Sequence, residues 1–281
     1  MSVKRLNRIE LLLTTDRIDG AAKVFSELLG VRIDPPRLLA EHHVLTTTSW
    51  EAGIELIAPG DSESVLHRLL EQRGTVGTVG PIVWEVENIE DVRNRARRQG
   101  IGIAYELATD GGGRQICLSA EDCFGYTPTF IERPPSPSEP LPGSGARFTR
   151  INRVELLLPA EDIEPARTFF SKLLDIEIDP PEYLPDHHVL TTICRPMGIE
   201  LFGPGDKDSV LHGLLEQKGR RGAIGPIVWE VDDLDGMKEH AIALGHELIY
   251  EFTLGDRRQM CLGADTLFGY TATFTQFLGR K

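Results

Sequence analysis

The feature that most constrains the fold is an internal repeat that covers nearly the whole chain of 281 residues. The segments HHVLTT, GIEL, SVLH and GPIVWEV begin at 42, 53, 64 and 80 and recur at 187, 198, 209 and 225, a constant offset of 145. The segment FGYT recurs after 144 positions, from 124 to 268. Matches in one register indicate a tandem duplication. We therefore expect two similar domains, 1–134 and 148–281, joined by a Pro/Ser/Gly-rich linker over 135–147.

Composition narrows the class of protein and the kinds of partner. A hydrophobic content of 41% with 26% charged residues is typical of soluble globular proteins. No apolar run approaches the roughly 20 residues that a membrane-spanning helix needs, and the first residues lack a secretory signal pattern. A net charge of −13 argues against nucleic acid, because phosphate binding needs clustered Lys and Arg. We expect a small-molecule partner and a monomer or homodimer.

The four cysteines have no C-x-x-C spacing, so the sequence indicates neither a zinc site nor a disulfide framework. This cysteine usage is compatible with a reducing compartment, and a cytoplasmic location is expected.

Hydrophobic periodicity predicts the same series of elements in each half. The apolar residues from Ile18 to Leu29 recur at helical spacing and Gly30 follows, which is typical of a helix and its end. Short apolar segments such as 8–13 and 31–34 predict strands. With a short helix at 64–72 set aside, the order is βαβββ twice in each half. The fold class is therefore predicted to be α+β, with four βαβββ modules whose curved sheets carry helices outside and an open cup inside.

The segment SVLHRLLEQRG…GPIVWEVENIEDV, together with SELLGVRID and DCFGYTPTFIE, resembles the vicinal oxygen chelate superfamily of glyoxalases, bleomycin-resistance proteins and dioxygenases. Within this superfamily, the order of a helix, an Arg-Gly turn and a strand that leads into an acidic turn is most similar to that of methylmalonyl-CoA epimerases. The resemblance covers nearly the whole chain and implies two tandem glyoxalase-like domains. It is specific for the fold and weak for the reaction, since this fold hosts several chemistries.

The resemblance also implies four ligands to a divalent metal in each cup, but this sequence departs from that pattern. The corresponding positions are Arg8, Glu55, Pro81 and Thr129 in the first half, and Arg153, Glu200, Pro226 and Thr273 in the second. Arginine has no lone pair to offer, proline has no side-chain donor atom, and threonine is a poor ligand. Only Glu55 and Glu200 match. We expect either no cofactor or a single divalent metal at a rebuilt site that keeps these two glutamates.

Strand alternation extends the set of residues expected to face each cup. If Arg8 points inward, so does Glu10, and if Pro81 points inward on its own strand, so does Glu85. The second half places Glu155 and Glu230 in the same way. Crowded carboxylates raise one another's pKa and can supply a general base, which makes Arg8, Glu10, Arg153 and Glu155 candidate catalytic residues. The alternative is an Arg–Glu pair that neutralises buried charge.

The repeated histidine pairs and tyrosines complete the candidate list. One histidine of each pair is expected to face the cup, and we choose His43 and His188, as metal ligands, acid–base groups or hydrogen-bonded strand residues. Tyr105 and Tyr250 are candidates to contact a substrate, as are Glu85, Thr129, Glu230 and Thr273, with ordinary sheet packing as the alternative. Trp84 and Trp229 are predicted to pack under helices.

The leading functional hypothesis is an isomerase or lyase that acts next to a carbonyl group. Arg8 or Arg153 would stabilise an enolate, and a carboxylate or histidine would move the proton. The alternative is a non-catalytic protein that sequesters a small molecule, as in the bleomycin-resistance branch. Extradiol dioxygenase chemistry is disfavoured, because that branch needs two His and one Glu at the positions of Arg153, Pro226 and Thr273.

Overall fold

A computed structural model describes residues 3–109, 112–132, 147–219 and 221–279 of the chain. The expected linker over 135–147 falls outside the described residues except for its last position. Within the described part, no helix is long and apolar enough to span a membrane.

The first half contains eight strands and three helices in the predicted order. They are β1 (Val3–Leu12), α1 (Ile18–Leu29), β2 (Arg37–Leu39), β3 (Val44–Ser49), β4 (Ile54–Pro59), α2 (Leu66–Arg73), β5 (Thr78–Val86), α3 (Ile89–Arg98), β6 (Ile103–Thr109), β7 (Gly113–Leu118) and β8 (Thr127–Glu132).

The second half repeats this order. Its elements are β9 (Arg150–Leu157), α4 (Ala160–Leu174), β10 (Glu182–Leu184), β11 (Val189–Cys194), β12 (Ile199–Pro204), α5 (Leu211–Lys218), β13 (Ala223–Glu230), α6 (Leu234–Ala243), β14 (Leu248–Leu254), β15 (Arg257–Leu262) and β16 (Ala272–Phe277). Four βαβββ modules are therefore present and the α+β class is confirmed. One strand was predicted wrongly, because residues 31–34 are irregular and β2 begins six residues after Val31.

Each half forms an eight-stranded sheet, with the orders β2-β3-β4-β1-β5-β8-β7-β6 and β10-β11-β12-β9-β13-β16-β15-β14. Within each module the first and last strands are parallel neighbours, as β1 and β4 are, and the other pairs are antiparallel. A parallel pair needs a crossover, and the helix and two further strands of the module supply it. The strand that opens each module therefore lies near the middle of its sheet.

Helix α1 shows how the sequence sets the local structure. Its buried residues recur on one face, and Gly30 ends it in the left-handed region with φ 67°, its N–H donating to the carbonyl of Ser26. In the second half Asp175 takes the same left-handed position with φ 58°. The Gly30 prediction is confirmed, and Asp175 shows that the turn tolerates another short polar residue.

Helices α3 and α6 identify the two faces of the modules that they belong to. Arg93 on α3 pairs with Glu106 on β6, and Asp235 on α6 pairs with Arg258 on β15. Trp84 and Trp229 share this helix-facing side, where each stacks on a phenylalanine and is fully buried. Their predicted packing under helices is confirmed. We call the opposite side, which carries Gln115 in β7 and Gln259 in β15, the open face.

The chain divides into two compact units, each of which takes one module from each half. Unit 1 comprises the described residues within 3–7, 79–132 and 153–224, and unit 2 comprises those within 8–78, 147–152 and 225–279. In unit 1 the hydroxyl of Tyr126 lies 2.8 Å from the carbonyl of Leu157, and in unit 2 the hydroxyl of Tyr270 lies 2.8 Å from that of Leu12. These two tyrosines are therefore internal packing residues that tie two modules together.

Candidate functional site

Arg8, Glu10 and Glu55 form a buried ion network in the first module. The parallel register of β1 and β4 sets Glu10 directly beside Glu55, and Arg8 lies two residues before Glu10 on the same face. Arg8 Nε donates to Glu55 Oε2 at 2.6 Å, and Arg8 Nη2 donates to Glu10 Oε1 at 3.0 Å. Arg8 and Glu10 are each only 6% exposed. The structure thus brings together three of the residues predicted to share a cup.

Two neighbours hold this network in place. Thr46 Oγ1 donates to Glu55 Oε1 at 2.7 Å, so both oxygens of Glu55 accept a hydrogen bond. The guanidinium carbon of Arg8 lies 5.4 Å from the centre of the Trp50 ring, a cation–π distance. Arg8 is therefore fixed by charge on one side and by an aromatic face on another.

The second half repeats the network with almost the same distances. Arg153 Nε donates to Glu200 Oε2 at 2.6 Å, and Arg153 Nη2 donates to Glu155 Oε1 at 2.9 Å. Thr191 Oγ1 donates to Glu200 Oε1 at 2.7 Å, as Thr46 does in the first half. The two copies differ at Trp50, whose place is taken by Arg195.

Burial changes the protonation of these networks. Burial, and next the nearby charge of Glu55, raise the pKa of Glu10 to about 8, although the pairing with Arg8 acts in the opposite direction. Burial alone would lower the pKa of Arg153, but the charges of Glu200 and Glu155 outweigh it and raise that pKa. Glu10 therefore holds a proton near neutral pH beside an arginine that stays charged.

An apolar cluster adjoins each network on the same face. Leu12 and Ile57 lie two residues beyond Glu10 and Glu55, and they pack against Leu66 and Leu70 of α2. In the second half Leu157 and Phe202 pack in the same way against α5. Helices α2 and α5 therefore exclude water from one end of the face that carries the arginine and the two glutamates. This exclusion strengthens the attraction between these charged groups.

The donor set does not fit the divalent metal that the family resemblance implies. Both oxygens of Glu55 are engaged by Arg8 and Thr46, and a guanidinium stands where the first ligand would be. Over the ranges that the structure describes, no group of three or more His, Cys, Asp or Glu side chains is arranged to hold a metal ion. Arg8 and Arg153 instead place a fixed positive charge between two carboxylates.

His43 and His188 do not lie in strands as expected, and their predicted roles as metal ligands or acid–base groups stay predictions. Neither lies in a strand, because each follows a short 3-10 turn in the left-handed conformation with φ 54°, so strand alternation does not apply. The Nδ1 atoms of His43 and His188 lie 2.8 Å from carboxylate oxygens of Asp61 and Asp206, and both imidazoles are well exposed. These pairs fix a surface turn in each half, and their aspartates were missed although both recur in the repeat.

The His188–Asp206 pair makes a testable contribution to stability. The hydrogen bond to Asp206 raises the pKa of His188, and the same bond lowers the pKa of Asp206 to about 2. Because the pKa of His188 is raised on folding, the stabilisation is complete below the unfolded value of about 6.5 and is lost as pH rises through the folded value. We expect His188→Gln to lower the melting temperature more at about pH 5.5 than at about pH 8.5. An equal loss at both pH values would contradict the pairing, and His42→Gln, before the matching His43 of the first half, serves as a control.

Glu85 and Glu230 are held by surface cations. Arg5 Nε donates to Glu85 Oε2 at 3.1 Å, and Arg150 Nη2 donates to Glu230 Oε2 at 2.9 Å. Asn152 also donates to Glu230, at 3.2 Å. Both carboxylates are thus neutralised by pairing, and their predicted role in substrate binding stays a prediction.

Thr129 and Thr273 occupy matching buried positions on the open face but differ in their hydrogen bonds. Thr129 Oγ1 lies 3.0 Å from Cys117 Sγ, whereas Thr273 Oγ1 is buried with no partner in the described structure. Tyr105 and Tyr250 lie on the outermost strands β6 and β14 and are 41% and 37% exposed. Their proposed contacts with a substrate stay predictions.

Curated proteins of similar sequence are two mitochondrial methylmalonyl-CoA epimerases. The protein from Bos taurus is 31% identical over 114 residues, which cover 39% of this chain and 63% of the relative. The protein from Homo sapiens is 32% identical over 109 residues, with 37% and 60% covered. The chain thus spans about 60% of the length of the curated relatives it matches. No family model matches the chain.

Solved structures resemble the chain over nearly its whole length. A triple mutant of 4-hydroxymandelate synthase from Streptomyces coelicolor has a TM-score of 0.77 at 12% identity and covers 100% of this chain and 94% of its own. The 2,2',3-trihydroxybiphenyl 1,2-dioxygenase from Sphingomonas wittichii has a TM-score of 0.64 at 14% identity, covering 98% and 90%. At these identities the likeness establishes the tandem fold, and the reaction must be argued from this chain's own residues.

Proposed function

We propose that this chain, which resembles the vicinal oxygen chelate superfamily in sequence and fold, is an isomerase or lyase that acts on a small organic molecule next to a carbonyl group. The proposal assigns the proton transfer to Glu10 or Glu155 and the stabilisation of negative charge to Arg8 or Arg153. The resemblance in sequence to two epimerases supports the isomerase class.

The single observation that carries the proposal is the buried Arg–Glu–Glu network, which is built twice with almost the same distances. A carboxyl group with a pKa of about 8 exchanges its proton readily near neutral pH, which is what general acid–base catalysis needs. Strongly shifted carboxyl groups beside a fixed charge are typical of functional sites. The low exposure of Arg8 and Arg153 makes their charge effective, since little water screens it.

The chemistry assigned to these residues balances without any further reactant. A carboxylate, Glu10 in the first half, accepts the proton of the carbon next to the carbonyl, and the electron pair of that C–H bond moves to the carbonyl oxygen. The guanidinium of Arg8 stabilises the resulting enolate oxygen by charge and hydrogen bonding. Delivery of a proton from water to the other face of the carbon, after which Glu10 releases its own proton to solvent, gives the isomer. Expulsion of a neighbouring leaving group with its bonding electron pair gives the lyase product.

The proposal is tested by following solvent deuterium into carbonyl compounds by proton NMR. The panel contains acyl thioesters, 2-oxo acids and hydroxy ketones, each incubated in deuterated buffer with and without the protein. We expect loss of the proton next to the carbonyl in at least one class, and no loss above the buffer rate with a variant that carries Arg8→Met and Arg153→Met. Exchange that survives in a folded double variant would refute the assignment to the arginines.

A second candidate is a non-catalytic binding protein, and one observation favours it. Both oxygens of Glu55 and of Glu200 already accept hydrogen bonds within the protein, as in a network that only neutralises buried charge. In that case the protein would bind a compound of the panel stoichiometrically and would not exchange its protons. Binding without exchange would therefore select this candidate.

A further inference from the structure

A row of polar side chains crosses the open face of the last module. Glu230 on β13 is level with Thr275 on β16, and Thr275 is level with Gln259 on β15. Thr273 lies two residues before Thr275 on the same face, level with Cys261. Gln259 is 3% exposed, and Thr273 and Thr275 are fully buried. This module therefore holds a compact polar patch on the side away from α6.

Two atoms of this patch are buried without a hydrogen-bond partner in the described structure, namely Gln259 Oε1 and Thr273 Oγ1. Burying a polar atom without a partner costs about 1–3 kcal/mol, so such atoms are rare unless another molecule satisfies them. Both unpaired atoms lie on neighbouring strands of one face. Their common location indicates one missing partner that has its own polar groups.

The corresponding module of the first half is built differently. Thr129 donates from Oγ1 to Cys117 Sγ at 3.0 Å, and the position of Thr275 is taken by the apolar Ile131. The duplication therefore kept the fold of the two modules while their open faces diverged, and among the described residues the unpaired pair of polar atoms lies in the later copy.

We infer that the patch of Gln259, Thr273 and Thr275 binds the uncharged, hydroxyl-bearing part of the substrate, and that the corresponding patch of the first half does not. A hydroxyl group both donates and accepts, so it satisfies Thr273 and either orientation of the Gln259 amide. The patch offers no net charge, because its side chains are uncharged and the neighbouring Glu230 is paired with the guanidinium of Arg150. This inference rests on the proposed function, since it names the substrate class that the carbonyl chemistry would receive.

The test measures binding and needs no turnover. Hydroxyacetone and pyruvate serve as probes of equal size, one uncharged with a hydroxyl group and one anionic, and their Kd values are measured by NMR titration. The first variant carries Gln259→Leu and Thr273→Val, and the control carries Gln115→Leu, the corresponding glutamine substitution in the first half. We expect hydroxyacetone to bind the wild type more tightly than pyruvate, and the first variant to lose about tenfold in affinity, as expected for two hydrogen bonds. The control should bind as the wild type does.

Three results would overturn the inference. These are tighter binding of pyruvate, an equal loss of affinity in both variants, and no hydroxyacetone binding to the wild type, which would mean that water alone satisfies the patch. Folding is checked by the melting temperature, which we expect to be unchanged or higher in the first variant, because its unpaired polar atoms have been removed. Selective binding without deuterium exchange would leave the inference standing and refute only the proposed reaction.

Discussion

Replacing Arg153 with methionine should lower the free energy of unfolding by about 3–5 kcal/mol, because it leaves Glu155 and Glu200 buried without their cation. Arg153 is 2% exposed and is bound to both carboxylates, so water cannot take its place. The loss is measured by urea denaturation at neutral pH. A loss below about 1 kcal/mol would place the network among ordinary surface ion pairs and would contradict its burial.

A repaired variant separates stability from function. Adding Glu155→Leu and Glu200→Gln to Arg153→Met removes the unpaired charges, and the glutamine still accepts the hydrogen bond of Thr191. Replacing a whole buried ion network with uncharged side chains is often neutral or stabilising, so most of the lost stability should return. If the network is catalytic, the repaired protein will be stable, and the second half of the chain will no longer catalyse deuterium exchange. Full exchange activity in a protein that carries both the repaired network and Glu10→Gln would show that the ions serve the fold alone.

Replacing Glu10 with glutamine should slow deuterium exchange by about 100- to 10,000-fold if the first half is the active one, since this is the usual contribution of a general base. The carboxylate is the active form of a base with a pKa of about 8, so the wild-type rate should rise with pH and level off above that value. Glu155→Gln is the matched variant in the second half. If only the second variant slows exchange, activity belongs to that half, and if neither does, carboxylate catalysis is refuted.

The same Glu10→Gln variant gives a second measurement that does not depend on activity. The folded pKa of Glu10 is raised above the ordinary value of 4.5, so the folded state binds one more proton than the unfolded state between that value and about 8. Wild-type stability should therefore fall as pH rises through this window, by up to about 1.4 kcal/mol per pH unit. The glutamine variant should lack this slope, and parallel stability curves for the two proteins would contradict the raised pKa.

Most of the fold was predictable because it rests on local patterns that occur twice. The spacing of apolar residues from Ile18 to Leu29 and the glycine at position 30 predicted α1 and its end. The constant offset of the repeat then predicted the elements of the second half. The strand predicted at 31–34 is absent because these residues form an irregular segment. The strand that pairs with β3 is β2, which begins at Arg37. The packing of one module of each half into a compact unit was not predictable, because it depends on contacts such as that of Tyr126 with the carbonyl of Leu157.

The positions of the site residues could be predicted where alternation along a strand sets the direction of the side chain. They could not be predicted where a turn sets it. Alternation and the family resemblance together placed Arg8, Glu10 and Glu55 on one face, and the structure joins them. The direction of the His43 side chain could not be predicted by strand alternation, because His43 lies in the left-handed conformation after a 3-10 turn and such a conformation leaves no periodic signal. The unpaired oxygen of Gln259 was also invisible in the sequence, since Gln115 occupies the same position in the other half.

The central claim is that a buried arginine supplies the positive charge that a divalent metal supplies in relatives of this fold. The most direct test compares deuterium exchange by the wild-type protein before and after removal of metals with a chelator, with the metal content of both samples measured by elemental analysis. We predict the same exchange rate in both samples and a loss of exchange when Arg8 and Arg153 are both replaced. Loss of exchange on chelation, restored by one divalent ion per active half, would contradict the claim and would indicate a rebuilt metal site.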